Sequence, residues 1–326
     1  MFYNCTSLTT VPALPATTLE PYCYQYMFNG CTSLTITPEL PATTLKNYCY
    51  YYMFKGCSSL TVAPTLPATT LARYCYAYMF RECTSLTAAP ELPATALDIY
   101  CYYYMFYGCT SLVITPELPA TTLVDGCYYY MFSRCTSLTT APTLPATTLA
   151  NSCYNAMFAS CTNLTTAPEL WAETLVKNCY EYMFSGCIEL NYVKMLATDI
   201  SASSCLYGWL SGAASNGILV KHPDMTSLSS GYSGIPSGWT VEDYAILLDC
   251  ISLEITADDV IGNDTTTTIY YTAKCNALDI YNNPVVLEKT GKVISEEFPQ
   301  NTSETETIEH TISFTYMGIT TTTTIT

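Results

Sequence analysis

Apolar positions recur along the first two thirds of the chain at a spacing that no single helix or strand produces. The pair Met-Phe stands at Met1-Phe2 and then, every 26 residues, at Met27-Phe28, Met53-Phe54, Met79-Phe80, Met105-Phe106, Met131-Phe132, Met157-Phe158 and Met183-Phe184. The full unit reads Met-Phe-x-Gly-Cys-Thr-Ser-Leu-Thr-x-x-Pro-x-Leu-Pro-Ala-Thr-Thr-Leu-x-x-x-Cys-Tyr-x-Tyr. A strict period of roughly 20 to 50 residues marks a solenoid, in which one unit buries its apolar side chains only by stacking on the next.

Within a unit, Leu45, Cys49, Tyr52 and Met53 fall at i, i+4, i+7 and i+8. That spacing predicts a short helix with these residues on one face, widened by Tyr50 and Phe54. Gly56 suits a C-cap that needs positive φ, after which Cys57-Ser58-Ser59-Leu60 turns the chain into an extended segment. Proline cannot donate to a ladder, so Pro64 and Pro67 hold that strand to about three or four residues near Leu60 to Ala63, followed by an irregular return. The last copy decays as an end cap does: Cys205-Leu206-Tyr207-Gly208-Trp209-Leu210 replaces Cys179-Tyr180-Glu181-Tyr182-Met183-Phe184, and Ala213 takes the place of a Cys. Ile218-Leu219-Val220 is the expected closing strand. At the other end Met1 begins in mid-unit, which leaves two expectations: units lying upstream, or an end that packs on another molecule, including end-to-end self-association through the N-terminal coil.

The run Met53-Phe54-Lys55-Gly56-Cys57-Ser58-Ser59-Leu60-Thr61 and its copies resemble the BspA-like leucine-rich-repeat family of bacterial surface proteins, over residues 1 to 216. That family usually has Ala-Phe where this chain has Met-Phe, and the unit here is longer, with more Tyr before the pair. The resemblance implies a right-handed solenoid with a parallel sheet on one face, usually exported and used for attachment to host proteins or other cells. It implies no catalytic residues.

Beyond the repeats, Lys221 to Ser237 is rich in Ser, Gly and Pro and reads as cap extension and linker. From about Tyr244 the apolar period drops to two, in Ile251-Ser252-Leu253-Glu254-Ile255, Thr268-Ile269-Tyr270-Tyr271-Thr272-Ala273, Val285-Val286-Leu287-Glu288 and Thr311-Ile312-Ser313-Phe314-Thr315-Tyr316. These predict strands, and the arrangement resembles a bacterial immunoglobulin-like β-sandwich. The expected division is a leucine-rich-repeat solenoid over 1–216, a closing strand, cap and linker over 217–243, and the sandwich over 244–326.

Composition narrows the partners. The 326 residues are 49% hydrophobic and only 12% charged, enough to fill a continuous core. A net charge of −16 opposes binding to nucleic acid or anionic membrane. No run of about 18 apolar residues suggests membrane insertion, and Met1-Phe2-Tyr3-Asn4-Cys5 lacks the basic and apolar regions of a secretory signal.

Of the 18 cysteines, 16 fall in two repeat columns, Cys5 to Cys187 and Cys23 to Cys205. With a helix between them, Cys49 and Cys57 would stand about 12 Å apart, beyond disulfide reach, so the columns read as buried free thiols. They lack the close Cys-x-x-Cys pairs and histidines of a zinc site. Cys250 and Cys275 are the exception, a candidate disulfide between two strands of one sandwich. Tyr24, Tyr50, Tyr76, Tyr102, Tyr128, Tyr154 and Tyr180 form an unbroken column, expected to pack between coils with hydroxyls at the rim. The column beside it varies (Gln25, Tyr51, Ala77, Tyr103, Tyr129, Asn155, Glu181), which predicts exposure and makes Tyr51, Tyr103 and Tyr129 candidate contacts for a glycan or protein. Ile36, Val62 and Ile114, in a row with Ala88, Thr140 and Thr166, are candidate contacts beside the strand.

The repeats contain no histidine, and His222 and His310 stand apart without a paired nucleophile. No catalytic, cofactor or metal site is therefore assigned; Asp258-Asp259 with Asn263-Asp264 reads as an acidic turn without the EF-hand spacing. The resulting expectation is a non-enzymatic binding or adhesion protein, extracellular or at the cell surface, whose solenoid meets protein or glycan partners on a host or neighbouring cell. The alternative is a structural appendage or decoration of a phage particle or cell-surface layer, assembled through the N-terminal end.

Overall fold

A computed structural model describes residues 2–244 and, beyond them, the backbone of five strands between Asp249 and Ile325. The chain divides into two units, Met1–Tyr244 and Ala245–Thr326.

Each coil carries a ribbon of linked tight turns where a helix was expected, and none of the described residues is helical. Tyr51, Met53, Lys55 and Cys57 donate their N–H three residues back, to the carbonyls of Tyr48, Tyr50, Tyr52 and Phe54, at 3.1 to 3.3 Å. The residues between them donate outward. Tyr50, Tyr52, Phe54 and Gly56 reach the carbonyls of Cys75, Ala77, Met79 and Arg81 in the next coil at 2.8 to 3.1 Å. An α-helix satisfies its N–H groups internally. This ribbon spends every second one on its neighbour, so it joins coils as a sheet would.

The ribbon requires a left-handed residue at every fourth position: Tyr48 (φ 60°), Tyr52 (φ 59°) and Gly56 (φ 73°), and their equivalents along the chain. Gly56 thus has the positive φ foreseen for it, as a turn residue. A left-handed L-residue costs about 1–2 kcal/mol, which the turn and inter-coil hydrogen bonds and the ring stacking at these positions must offset.

Side chains alternate out-in-in-out along the ribbon. Cys49, Tyr50, Met53, Phe54, Cys57 and Leu60 are at most 1% exposed, as are their equivalents in the central coils. From Phe2 to Phe184 the phenylalanines stack in one file at 5.5 to 5.8 Å. The Tyr50 column stacks beside them at 5.7 to 6.1 Å. Its hydroxyls are not at a rim: the rings from Tyr50 to Tyr180 are buried, and the Tyr50 and Tyr76 hydroxyls lack a hydrogen-bond partner among the described residues. The 16 column cysteines are free. One column also bonds, because Cys57, Cys83 and Cys109 Sγ donate to the carbonyls of Phe28, Phe54 and Phe80 at 3.1 Å.

On the opposite stretch of the coils from Pro64 to Pro168, the expected strand shrinks to isolated bridges, Val62↔Ala88↔Ile114 and Thr140↔Thr166↔Tyr192. Pro64 and its equivalents remove the next donor. Where Lys194 occupies the proline column, a strand forms: β1 (Tyr192–Met195) pairs in parallel with β2 (Gly217–Lys221), the expected closing strand. The ladder does not close there. β3 (Trp239–Asp243) pairs in parallel with β2, so the segment read as a linker forms a further coil. Trp209 Nε1 donates to Gly234 O at 2.9 Å and Trp239 Nε1 to Ala214 O at 2.8 Å, fastening that coil.

In the second unit β4 (Asp249–Gly262), β5 (Thr267–Leu278) and β6 (Pro284–Ser295) form an antiparallel sheet, and β7 (His310–Tyr316) pairs antiparallel with β8 (Ile319–Ile325). All four segments with period-two patterning lie in these strands. The register sets Cys250 opposite Ala277 and Cys275 opposite Leu253; the side chains of this candidate disulfide lie outside the described residues. Asp258 sits at a bulge of β4, and Asn263 and Asp264 lie outside the described residues.

Candidate functional site

The left-handed positions turn their side chains outward, and in the first coils most of them are tyrosine. Tyr22, Tyr48, Tyr74 and Tyr100 form one ladder with ring centroids 4.9 to 5.0 Å apart. Tyr26, Tyr52, Tyr78, Tyr104 and Tyr130 form a second at 4.1 to 5.1 Å. These separations follow the coil spacing of about 4.8 Å that backbone pairing sets, so in-register coils stack their rings automatically. The first ladder ends at Gly126, where an added Cβ would lie 2.1 Å from Cε1 of Tyr100.

Between the ladders runs the variable column. Tyr51 stands edge-on to Tyr48, Tyr52, Tyr74 and Tyr78 at 78° to 88°. Tyr103 meets Tyr74, Tyr78 and Tyr100 at 76° to 83°. The column is therefore not the exposed row expected: Tyr51, Tyr103 and Tyr129 are half-buried in a trough, and Ala77 and Asn155 are buried. A hollow of about 390 Å³ opens among Tyr48, Tyr51, Tyr74, Tyr78, Tyr100, Tyr103 and Tyr129.

Four basic side chains lie on the ladders or on Tyr107, which packs against Tyr104. Lys55 sits over Tyr52, Arg73 over Tyr74, Arg134 over Tyr107, and Arg81 over Tyr78 and Tyr107 at 5.6 and 4.9 Å, with its guanidinium also paired to Glu82 at 3.1 Å. Burial pushes Tyr129 up to about 12 and raises the phenols of Tyr51, Tyr78 and Tyr103 above their ordinary value. The trough therefore presents neutral ring faces, ring edges and hydroxyls at any physiological pH.

Ile36, Val62 and Ile114 are 56, 67 and 61% exposed, as expected, and belong to the strand side. The hollow there, about 440 Å³, is lined by residues 63–67 with Pro90, Glu91 and Pro93. Tyr51, Tyr103 and Tyr129 line the tyrosine hollow, whereas Ile36, Val62 and Ile114 are not part of the strand-side lining. The two ladders were missed in the sequence, although a signal existed: Gly126 and Asn178 occupy the Tyr48 column and Gly208 the Tyr52 column, and such residues mark left-handed backbone.

Coils of fixed length, joined edge to edge around files of buried side chains, define a solenoid repeat protein. The chain belongs to the family whose model is described as BspA type Leucine rich repeat region, which matches residues 1–113 and 73–207. This makes it a repeat protein of a family associated with surface or protein interaction. Comparison with curated proteins and with solved structures gave no match.

Proposed function

We propose that the chain is a non-enzymatic binding protein whose tyrosine trough meets a protein or glycan partner on a host or neighbouring cell, outside the cell or at its surface. One observation carries this reading. In the first coils Tyr occupies left-handed positions that Gly126 and Gly208 fill elsewhere in the same columns, so the fold accepts glycine where it instead carries a ring at a cost of about 1–2 kcal/mol. Rings kept at a conformational cost on an outer face support a contact role. Repetition of the contact along successive coils supplies avidity. The C-terminal unit is read as an immunoglobulin-like sandwich that spaces the solenoid from its anchor, and the net charge of −16 turns nucleic acid away.

The test is binding of the full chain to arrays of glycans and matrix proteins, with two triple variants. Replacing Tyr51, Tyr103 and Tyr129 with Ser should weaken capture at least tenfold, whereas replacing Ile36, Val62 and Ile114 with Thr should leave it unchanged. The opposite result would move the contact to the strand side, and no capture by any array would remove the proposal.

A further inference from the structure

We propose that the tyrosine trough takes an acidic polysaccharide, whose carboxylate or sulfate groups meet the basic side chains along its two ladders. This deepens the reading of the trough as the binding face and rests on it. Charge is unevenly placed along the chain, for residues 245–326 hold 12 of the 27 acidic residues against 3 lysines. The four turn ribbons 46–57, 72–83, 98–109 and 124–135 hold instead five bases, Lys46, Lys55, Arg73, Arg81 and Arg134, against three acids, Glu82, Asp98 and Asp125. Those three acids are already engaged. Glu82 pairs with Arg81 at 3.1 Å, Asp98 Oδ1 accepts from Ile99 N at 2.7 Å, and Asp125 Oδ1 accepts from Asn151 N at 3.1 Å. Lys55, Arg73 and Arg134 rest on tyrosine rings and form no ion pair among the described residues. Arg73 stands on the Tyr74 ladder, Lys55 and Arg81 on the other, and the hollow of about 390 Å³ is lined from both.

The rings favour the same sign of ligand. Ladder rings stacked at 4.1 to 5.1 Å cover one another's negative faces and leave their positive edges and hydroxyls to a ligand. Burial raises the phenols of Tyr51, Tyr78, Tyr103 and Tyr129, so each keeps the proton it donates. A cation or a nucleic-acid base seeks ring faces, and here the ladders spend them on each other. An acidic peptide added as a strand needs open backbone groups. The ribbon leaves it no N–H: Tyr51, Met53 and Lys55 donate within the turns, and Tyr50, Tyr52 and Phe54 donate to the next coil. A polysaccharide needs neither faces nor backbone, because its hydroxyls pair with phenols and its anionic groups with guanidinium and ammonium.

The full chain is tested on surfaces carrying polygalacturonate, dextran sulfate, neutral dextran, poly-L-glutamate or oligothymidylate, at low and at physiological salt. One triple variant, Lys55→Gln with Arg73→Gln and Arg134→Gln, removes three charges that no ion pair uses. A second, Lys55→Arg with Arg73→Lys and Arg134→Lys, keeps them, and urea unfolding checks that both fold. The expected result is capture of polygalacturonate or dextran sulfate, weakened at least tenfold by the Gln triple, weakened also by salt, and retained by the charge-keeping triple. The two acidic probes tell carboxylate from sulfate. Equal capture of dextran, stronger capture of poly-L-glutamate or oligothymidylate, undiminished capture by a folded Gln triple, or equal loss in both triples overturns the proposal. Should the Gln triple fail to fold, Arg73→Gln alone, at an exposed position, is read in the same way. If no acidic polysaccharide is captured while the Tyr51, Tyr103 and Tyr129 triple variant still loses another partner, the acidic ligand falls and the binding face stands. If nothing is captured at all, both fall.

Discussion

The turn side and the strand side of the solenoid join the same coils by different means. On the turn side Tyr50, Tyr52, Phe54 and Gly56 all donate to the next coil, and the Phe and Tyr files stack beneath those bonds. On the strand side of the same coil, Val62 forms a lone bridge flanked by Pro64. Cohesion in this repeat protein has thus moved from the sheet into the turns, and the sheet regains it only where Lys194 replaces the proline. Backbone chemistry on one side decides how much the other must carry.

Substitutions on each side put that contrast at risk. The largest effect belongs to Phe106→Ala, which removes a ring stacked 5.6 and 5.5 Å from Phe80 and Phe132. Urea unfolding should show a loss of about 3–5 kcal/mol, against about 0.5 kcal/mol or less for Ile114→Thr on the strand side. Equal losses would sink the comparison. Next comes Lys194→Pro, which restores the column proline and removes a side chain 10% exposed, paired to Glu169 at 3.0 Å and lying 4.1 Å from the Tyr244 ring centre. Its expected cost is about 2–3 kcal/mol, with amide protection lost across β1 and retained on the turn side of the neighbouring coils. A smaller effect isolates backbone strain: an added Cβ at Gly56 would meet nothing nearer than 3.9 Å, so Gly56→Ala should cost only the left-handed penalty of about 1 kcal/mol.

The smallest effect concerns pH near neutrality. Burial raises Cys49, Cys57 and Cys109 from 9.0 to about 12. The unfolded chain therefore releases its thiol protons first as pH rises. Stability contributed by these thiols is fully present below about pH 9 and is lost between there and about pH 12. Thermal midpoints should stay flat from about pH 6 to 8.5 and fall above 9; midpoints that stay flat above pH 9 would mean the thiols are not buried.

The period, the stacked files and the proline-limited strand were all legible in the sequence, because each follows from residue type at fixed spacing. The turn ribbon was harder to read. Leu45, Cys49, Met53 and Cys57 recur at every fourth residue, and a helix would rotate such a row by about 120° over that distance, so the strict spacing itself argued against one. Over nine residues the helical reading fits nearly as well, and left-handed tyrosines are rare enough to escape notice. Tyr51, Tyr103 and Tyr129 stand in a column that varies between coils, yet their burial depends on ladders that arise only once the ribbon turns Tyr48 and Tyr52 outward. The coil at Trp239 was hidden by a Ser- and Gly-rich composition that resembles a tether.

Because every coil from Met27 to Cys205 carries thiols that open only with the coil itself, the cysteine columns grade that stretch by accessibility along its length. Cys5 is exposed and Cys23 half-buried, whereas Cys75, Cys101 and Cys127 are fully enclosed. A thiol reagent added to the folded protein should mark the first coil within seconds and reach the middle only as fast as the array frays, so the labelling order maps local unfolding one repeat at a time.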